Sequence, residues 1–171
     1  MKLKHKNFFF IIIISFDVLN VTFLLILQLM KIILNRINND YLFECTNSLG
    51  NKILLDNTSQ SEETNGVSPM ETILMAVAGC SAIDMVSILK KQRQEIIQFS
   101  AEVVGERIQV DEAKPFKTIM VFFRLEGNID PKKAERAAAL SFEKYCSVSK
   151  TLEPNVTVNY EVFVNGEKVR E

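Results

Sequence analysis

Cys80 and Cys146 are the residues of this chain whose type and placement could carry covalent chemistry. Cys80 lies in the apolar helical stretch that runs from Ser68 to Val86, and Cys146 closes Glu143-Lys144-Tyr145-Cys146-Ser147-Val148. A thiol in such a place is either a small hydrophobe or a guarded nucleophile, and its thiolate fraction decides which. Burial disfavours the Cys80 thiolate, and so does Asp84, one helical turn on at i+4. The arginine nearest in sequence is Arg93, thirteen residues on. Asp84, between Ile83 and Met85, needs a hydrogen bond or an ion partner if buried. Cys146 ends a helix, which predicts better access than a helix middle. The negative end of a helix also suits a resolving thiol more than an attacking one. Cys45 reads as a plain strand residue.

Other chemistries find little support. The single histidine, His5, lies in the N-terminal tail, so neither a Cys-His nor a Ser-His-Asp catalyst is expected. No C-x-x-C or histidine cluster points to zinc, and three cysteines are too few for a disulfide scaffold. Twenty basic residues against twenty-one acidic ones leave no footprint for nucleic acid. No metal, no cofactor and no nucleic-acid partner are expected.

The elements that must position the thiols belong to one domain, residues 30–171. Residues 1–29 differ from it, with three lysines before Asn7 and unbroken apolar sequence from Phe8 to Phe16. Three readings of this segment stand. Met30 could be the true start, the segment could be a membrane anchor through residues 8–29, or it could be a cleaved signal. Asp17 in mid-segment disfavours a span by about 2.5–3.5 kcal/mol.

Within the domain, Lys31–Arg36 and Tyr41–Thr46 alternate around Asn38-Asn39-Asp40 and predict a hairpin, followed by a third strand at Lys52–Asp56. Asn57–Val67 is polar loop. Ser68, Pro69 and Glu71 form an N-terminal capping signature for a long helix reaching about Gln94. That helix is apolar nearly all round from Ile73 to Leu89, which predicts burial. Phe99–Arg107 and Phe116–Glu126 read as strands. Asp130-Pro131 starts a second helix with a small-residue stripe at Ala134, Ala137, Ala138 and Ser141. Ser147–Leu152 is one more turn or short helix, and Val156–Val164 is a last strand ending in the turn Asn165-Gly166. The order is three strands, a long buried helix, two strands, one or two helices and a final strand, an α+β class with no βαβ repeat.

Ser68-Pro69-Met70-Glu71-Thr72-Ile73-Leu74, then Ala78-Gly79-Cys80 with Asp84-Met85-Val86, resembles the first cysteine motif of the OsmC/Ohr family. This family comprises osmotically inducible protein C and the organic hydroperoxide resistance proteins. Glu143-Lys144-Tyr145-Cys146-Ser147-Val148 is similar to its second motif. The resemblance spans roughly Met30 to Val164 and is closer to the poorly characterised branch than to the dedicated hydroperoxidases. It implies an intertwined homodimer around the long helix. It also implies thiol-dependent reduction of organic hydroperoxides in oxidative-stress defence: Cys80 becomes a sulfenic acid, Cys146 condenses with it to a disulfide, and an external dithiol reduces the pair. Glu71 approximately matches the family's assisting Glu, standing nine residues before Cys80 rather than ten. No arginine is securely matched, which leaves Arg93 and Asp84 as the electrostatic candidates. The location implied is cytoplasmic, with membrane association only if residues 1–29 are an authentic anchor. The alternative function is a non-peroxidatic dimer that binds a small apolar or thiol-reactive ligand.

Overall fold

The computed structural model describes residues 30–57 and 64–170, in two compact units divided between Val67 and Ser68. Residues 1–29, with the three readings of that segment, and residues 58–63 of the expected loop lie outside the described residues.

The first unit is a meander of three antiparallel strands: β1 (Ile32–Arg36), β2 (Phe43–Asn47) and β3 (Lys52–Leu55). Asn38 and Asn47 make its two turns, each side-chain oxygen accepting from two backbone N–H groups two and four residues on, at 2.9–3.1 Å. This is the local bonding that makes asparagine a turn former. Cys45 sits in β2 opposite Leu34 and Ile53, as a strand residue should.

The second unit opens with helix α1 (Pro69–Lys91). Its capping box is complete: the Glu71 N–H donates to Ser68 Oγ at 3.2 Å, and the Ser68 N–H donates to Glu71 Oε2 at 2.7 Å. The helix stops three residues short of the expected Gln94. Arg93 takes a left-handed φ of 58°, its N–H donates to the Lys90 carbonyl and the Gln94 N–H to the Leu89 carbonyl. That paired closure is a Schellman motif, here built on arginine where glycine is usual. The chain then enters the sheet at once, which is why β4 (Glu95–Arg107) begins four residues before the expected strand.

β4 pairs antiparallel with β5 (Phe116–Asn128), with a bulge at Ile97. Opposite this irregularity Gly127 has φ of 142°, and a Cβ there would lie 2.1 Å from the Glu95 carbonyl oxygen, so only glycine fits. Helix α2 (Pro131–Leu140), a π-helical turn (Ser141–Tyr145) and helix α3 (Ser147–Leu152) follow. Asp130 caps α2 by accepting from the Lys132 N–H at 2.9 Å. The chain returns as β6 (Thr157–Val164), parallel to β5, and a two-residue Asn165-Gly166 turn adds a short β7 (Glu167–Lys168). Both turn residues have positive φ, the geometry that matches strand twist. The architecture is α+β, with two sheets and three α-helices among the described residues. The parallel return makes β5–helices–β6 a single crossover unit, where no βαβ repeat was expected. Parallel neighbours require a crossover long enough to span the sheet, and α2 with α3 supplies it.

The core lies between one face of this sheet and the helices. Ile119, Val121, Phe123 and Leu125 of β5 are buried with Val77, Met85 and Leu89 of α1. Ala134, Ala137, Ala138 and Ser141 are fully buried, and α2 packs on α1. Phe99, Phe123, Phe142 and Tyr160 form a chain of ring contacts with centroids 5.1–6.2 Å apart. The α1 stripe against this core is narrow: only Val77, Ser81, Met85 and Leu89 are buried. Met75 is 54% and Ile83 70% exposed, so the all-round burial expected from composition is not achieved within one chain. α1 is long and apolar enough to cross a bilayer, yet its buried residues mark it as a core helix with one face uncovered.

Candidate functional site

α1 and the segment from the π-helical turn into α3 bring the two thiols together. Cys146 lies near enough to Cys80 to help hold its proton, and the Val148 backbone N–H, in the first turn of α3, favours the Cys80 thiolate. Ser149 Oγ donates to Cys146 Sγ at 3.2 Å. On the Cys80 side, Ser141 Oγ donates to Asp84 Oδ2 at 2.9 Å, giving that carboxylate the partner its setting demands. All these contacts lie within the second unit.

The π-helical turn produces this arrangement. It widens the helix after Leu140, closes with a 2.7 Å bond from the Cys146 N–H to the Ser141 carbonyl, and then breaks to φ −69°, ψ 95° at Cys146. Such turns mark functional sites often. Cys146 therefore does not simply end a helix: it is the N-cap residue of α3 as well.

Exposure runs opposite to the sequence-based expectation. Cys146 is fully buried, whereas Cys80 is half-buried. The reason is tertiary. The tight turn tucks Cys146 beneath α3, while Cys80 stands beside the face of α1 that no element of the second unit covers. Burial still pushes the Cys80 thiol above its ordinary value of 9.0; the hydrogen bond and charge of Cys146 and the charge of Asp84 push it the same way, and the Val148 N–H opposes them.

Two sequence candidates are not brought to the thiols. The Glu71 carboxylate is engaged in the capping box, nine residues and about 180° round a regular helix from Cys80. Arg93 lies beyond the end of α1, about 20 Å along the axis from Cys80 at ~1.5 Å per residue, where its backbone closes the helix. No ion pair to Asp84 is present among the described residues. Sequence reasoning gave no role at the site to Ser149, Val148 or Ser141. Ser141 stood in the small-residue stripe, and its hydroxyl among alanines was the one available signal. Among the described residues no group of three or more His, Cys, Asp or Glu could hold a metal ion.

A cleft of about 380 Å³ runs down α1 from Asp84 through Ser87 to Gln92, walled across by Leu140 and Tyr145 and lined by neither thiol. Asp84 is one turn from Cys80, and Tyr145 immediately precedes Cys146.

The OsmC-like protein family model matches residues 60–161. Protein YhfA of Escherichia coli K12 is 41% identical over 116 residues, covering 66% of this chain and 84% of that protein. A hypothetical protein of Aquifex aeolicus VF5 superposes with a TM-score of 0.68 at 28% identity, over 81% of this chain and 98% of its own. An organic hydroperoxide resistance protein OsmC of Legionella pneumophila superposes with a TM-score of 0.60 over 80% and 99%; at 18% identity that likeness is one of fold. With a family match over more than half its length and, in YhfA, a relative 41% identical and covered to 84%, the chain belongs to the OsmC-like family.

Proposed function

We propose that this protein reduces organic hydroperoxides through Cys80 and Cys146. The observation that carries the reading is two thiols close enough to act on one another, one reachable and one sealed. The Cys80 thiolate attacks the distal peroxide oxygen, an S–O bond forms as the O–O bond breaks, and the departing alkoxide takes a proton to become an alcohol. Cys80, oxidised by two electrons, is then a sulfenic acid. The Cys146 sulfur attacks it, forming the S–S bond while the S–O bond breaks and water leaves. An external dithiol reductant returns both thiols by exchange and leaves as its own disulfide. The sealed position of Cys146 fits a resolving role, since it meets oxidant only through Cys80.

The same reading makes the protein a homodimer: a second copy covers the face of α1 that carries Met75 and Ile83, and its residues close over Cys80. It also places the protein in the cytoplasm. Among the described residues the Val148 N–H is the one group favouring the Cys80 thiolate, so peroxide consumption is slow unless the second copy adds a cation. The raised Cys80 thiol favours one alternative, a dimer that binds a small apolar or thiol-reactive ligand without turnover.

Titration of the purified protein with cumene hydroperoxide, followed by mass spectrometry of Cys80 and Cys146, tests the reading. Cys80→Ser abolishes consumption, and Cys146→Ser permits one attack and leaves Cys80 as a sulfenic acid open to over-oxidation. Equal turnover in wild type and Cys80→Ser overturns the peroxidase reading.

A further inference from the structure

The Asp84 carboxylate is out of keeping with the chemistry beside it. It stands one helical turn from Cys80, where its charge opposes a thiolate, and among the described residues no cation pairs with it. Its own contact points to a different task. The bond it accepts comes from Ser141 Oγ at 2.9 Å, and Ser141 is fully buried. Ser141 opens the π-helical turn, and its carbonyl accepts the 2.7 Å bond from the Cys146 N–H that closes that turn. This one residue therefore ties two others. Its hydroxyl holds α1 four residues from Cys80, and its carbonyl holds the backbone of Cys146. On the other side of Cys146, buried Ser149 donates its hydroxyl to the sulfur at 3.2 Å. Along the chain Cys80 and Cys146 are some 66 positions apart. Through Asp84 and Ser141 they are joined by one helical turn and two hydrogen bonds. A carboxylate accepts a bond roughly twice as strong as a neutral acceptor does, which gives a reason for Asp where its charge is a drawback to the thiol.

We propose, resting on the thiol-redox reading above, that Asp84 and Ser141 are positioning residues: they latch the π-helical turn to α1 and so set the fate of the Cys80 sulfenic acid. Two reactions compete for that acid. In the first, the Cys146 thiol gives up its proton and its sulfur attacks Cys80; the S–S bond forms, the S–O bond breaks, and water leaves. In the second, another hydroperoxide molecule transfers an oxygen to the sulfenic sulfur, its O–O bond breaks, and an alcohol leaves beside a sulfinic acid. The first is intramolecular, so its rate follows how well the two sulfurs are held in line. The second scales with peroxide concentration and takes no part of Cys146. A latched turn favours the disulfide.

Mass spectrometry of the full chain after titration with cumene hydroperoxide reads the ratio of sulfinic Cys80 to Cys80–Cys146 disulfide. That ratio is decided after the first attack, so it does not report how fast Cys80 reacts. Ser141→Ala and Asp84→Ala, which delete atoms and add none, should each raise it about tenfold at a given peroxide concentration, as loss of a charge-assisted bond implies. The double variant should be no worse than either single one, because both remove the same bond. Asp84→Asn should stay near wild type, since its amide oxygen still accepts from Ser141 Oγ. Asn and Ala remove the charge alike, so equal ratios in those two variants overturn the latch. A second reading needs no peroxide: the disulfide is made with diamide and equilibrated with dithiothreitol. Its equilibrium constant should fall about tenfold in Ser141→Ala and Asp84→Ala and hold in Asp84→Asn. That pattern in a protein whose thiols ignore hydroperoxide upholds the latch and sinks the peroxidase reading. A wild-type disulfide formed by hydroperoxide, with ratio and equilibrium indifferent to Ser141→Ala, sinks the latch alone.

Discussion

Oxidation of this protein by one equivalent of organic hydroperoxide should staple α1 to the π-helical turn and raise its melting temperature substantially. The two thiols are already neighbours in the reduced state, so the bridge should form with limited movement of the backbone. The loop it closes, Cys80 to Cys146, holds about 67 residues. Loop-closure entropy for a loop of that length removes about 4 kcal/mol of stability from the unfolded ensemble at 25 °C. For a domain of this size 1 kcal/mol corresponds to roughly 3 °C, so the shift is about 10 °C, less any strain in the bridge. Differential scanning calorimetry of reduced and peroxide-treated protein reads it, with peptide mapping to locate the bridge. Cys146→Ser and Cys80→Ser should each abolish the shift, and a dithiol should reverse it in wild type. A bridge that forms without raising the melting temperature refutes the unstrained closeness of the two native thiols. A bridge from Cys45 instead refutes the pairing.

Other outcomes follow from the same geometry. Because the Cys80 thiol is held above 9.0, its native state binds the proton more tightly than the unfolded chain does. The resulting stability is complete below pH 9 and lost as pH rises past it; iodoacetamide labelling of Cys80 should likewise still be accelerating at pH 9, and a plateau near neutral pH counts against this. Arg93→Gly should stabilise the fold by about 1 kcal/mol, since the left-handed φ of 58° penalises a Cβ and spares glycine; urea melts showing destabilisation contradict the Schellman closure. Ile83→Glu should shift sedimentation from dimer to monomer, because that residue stands on the uncovered face of α1; an unchanged dimer places the interface elsewhere. A chain starting at Met30 should express as a soluble, cooperatively unfolding dimer. Aggregation of that chain, while the full-length protein stays stable in detergent, shows residues 1–29 to be an anchor.

Local signals carried much of the fold. Ser68, Pro69 and Glu71 specify the start of α1 through bonds between residues at most three apart, and Asp130 with Pro131 does the same for α2. Asn165-Gly166 specifies a turn because both residues tolerate positive φ. The small-residue stripe foretold the close packing of α2 on α1, since the need for small side chains at a helix crossing is written in the residues themselves. What depends on contacts remote in sequence was not legible. The parallel return of β6 depends on where the crossover lands, and alternation alone does not encode strand direction. The end of α1 at Arg93 was hidden because arginine is no usual helix terminator. The relative exposure of the thiols was inverted, because position within a helix says nothing about which face the rest of the molecule covers. An apolar stretch reads alike whether its cover comes from the same chain or another, and only the folded core leaves Met75 and Ile83 outside it. The Val148 N–H beside one sulfur and the Ser149 hydroxyl on the other are likewise tertiary facts. The pair Cys80 and Cys146 was expected from the family resemblance, but the Val148 and Ser149 groups around it join the middle of α1 to a turn some 66 positions later, which no local signal encodes.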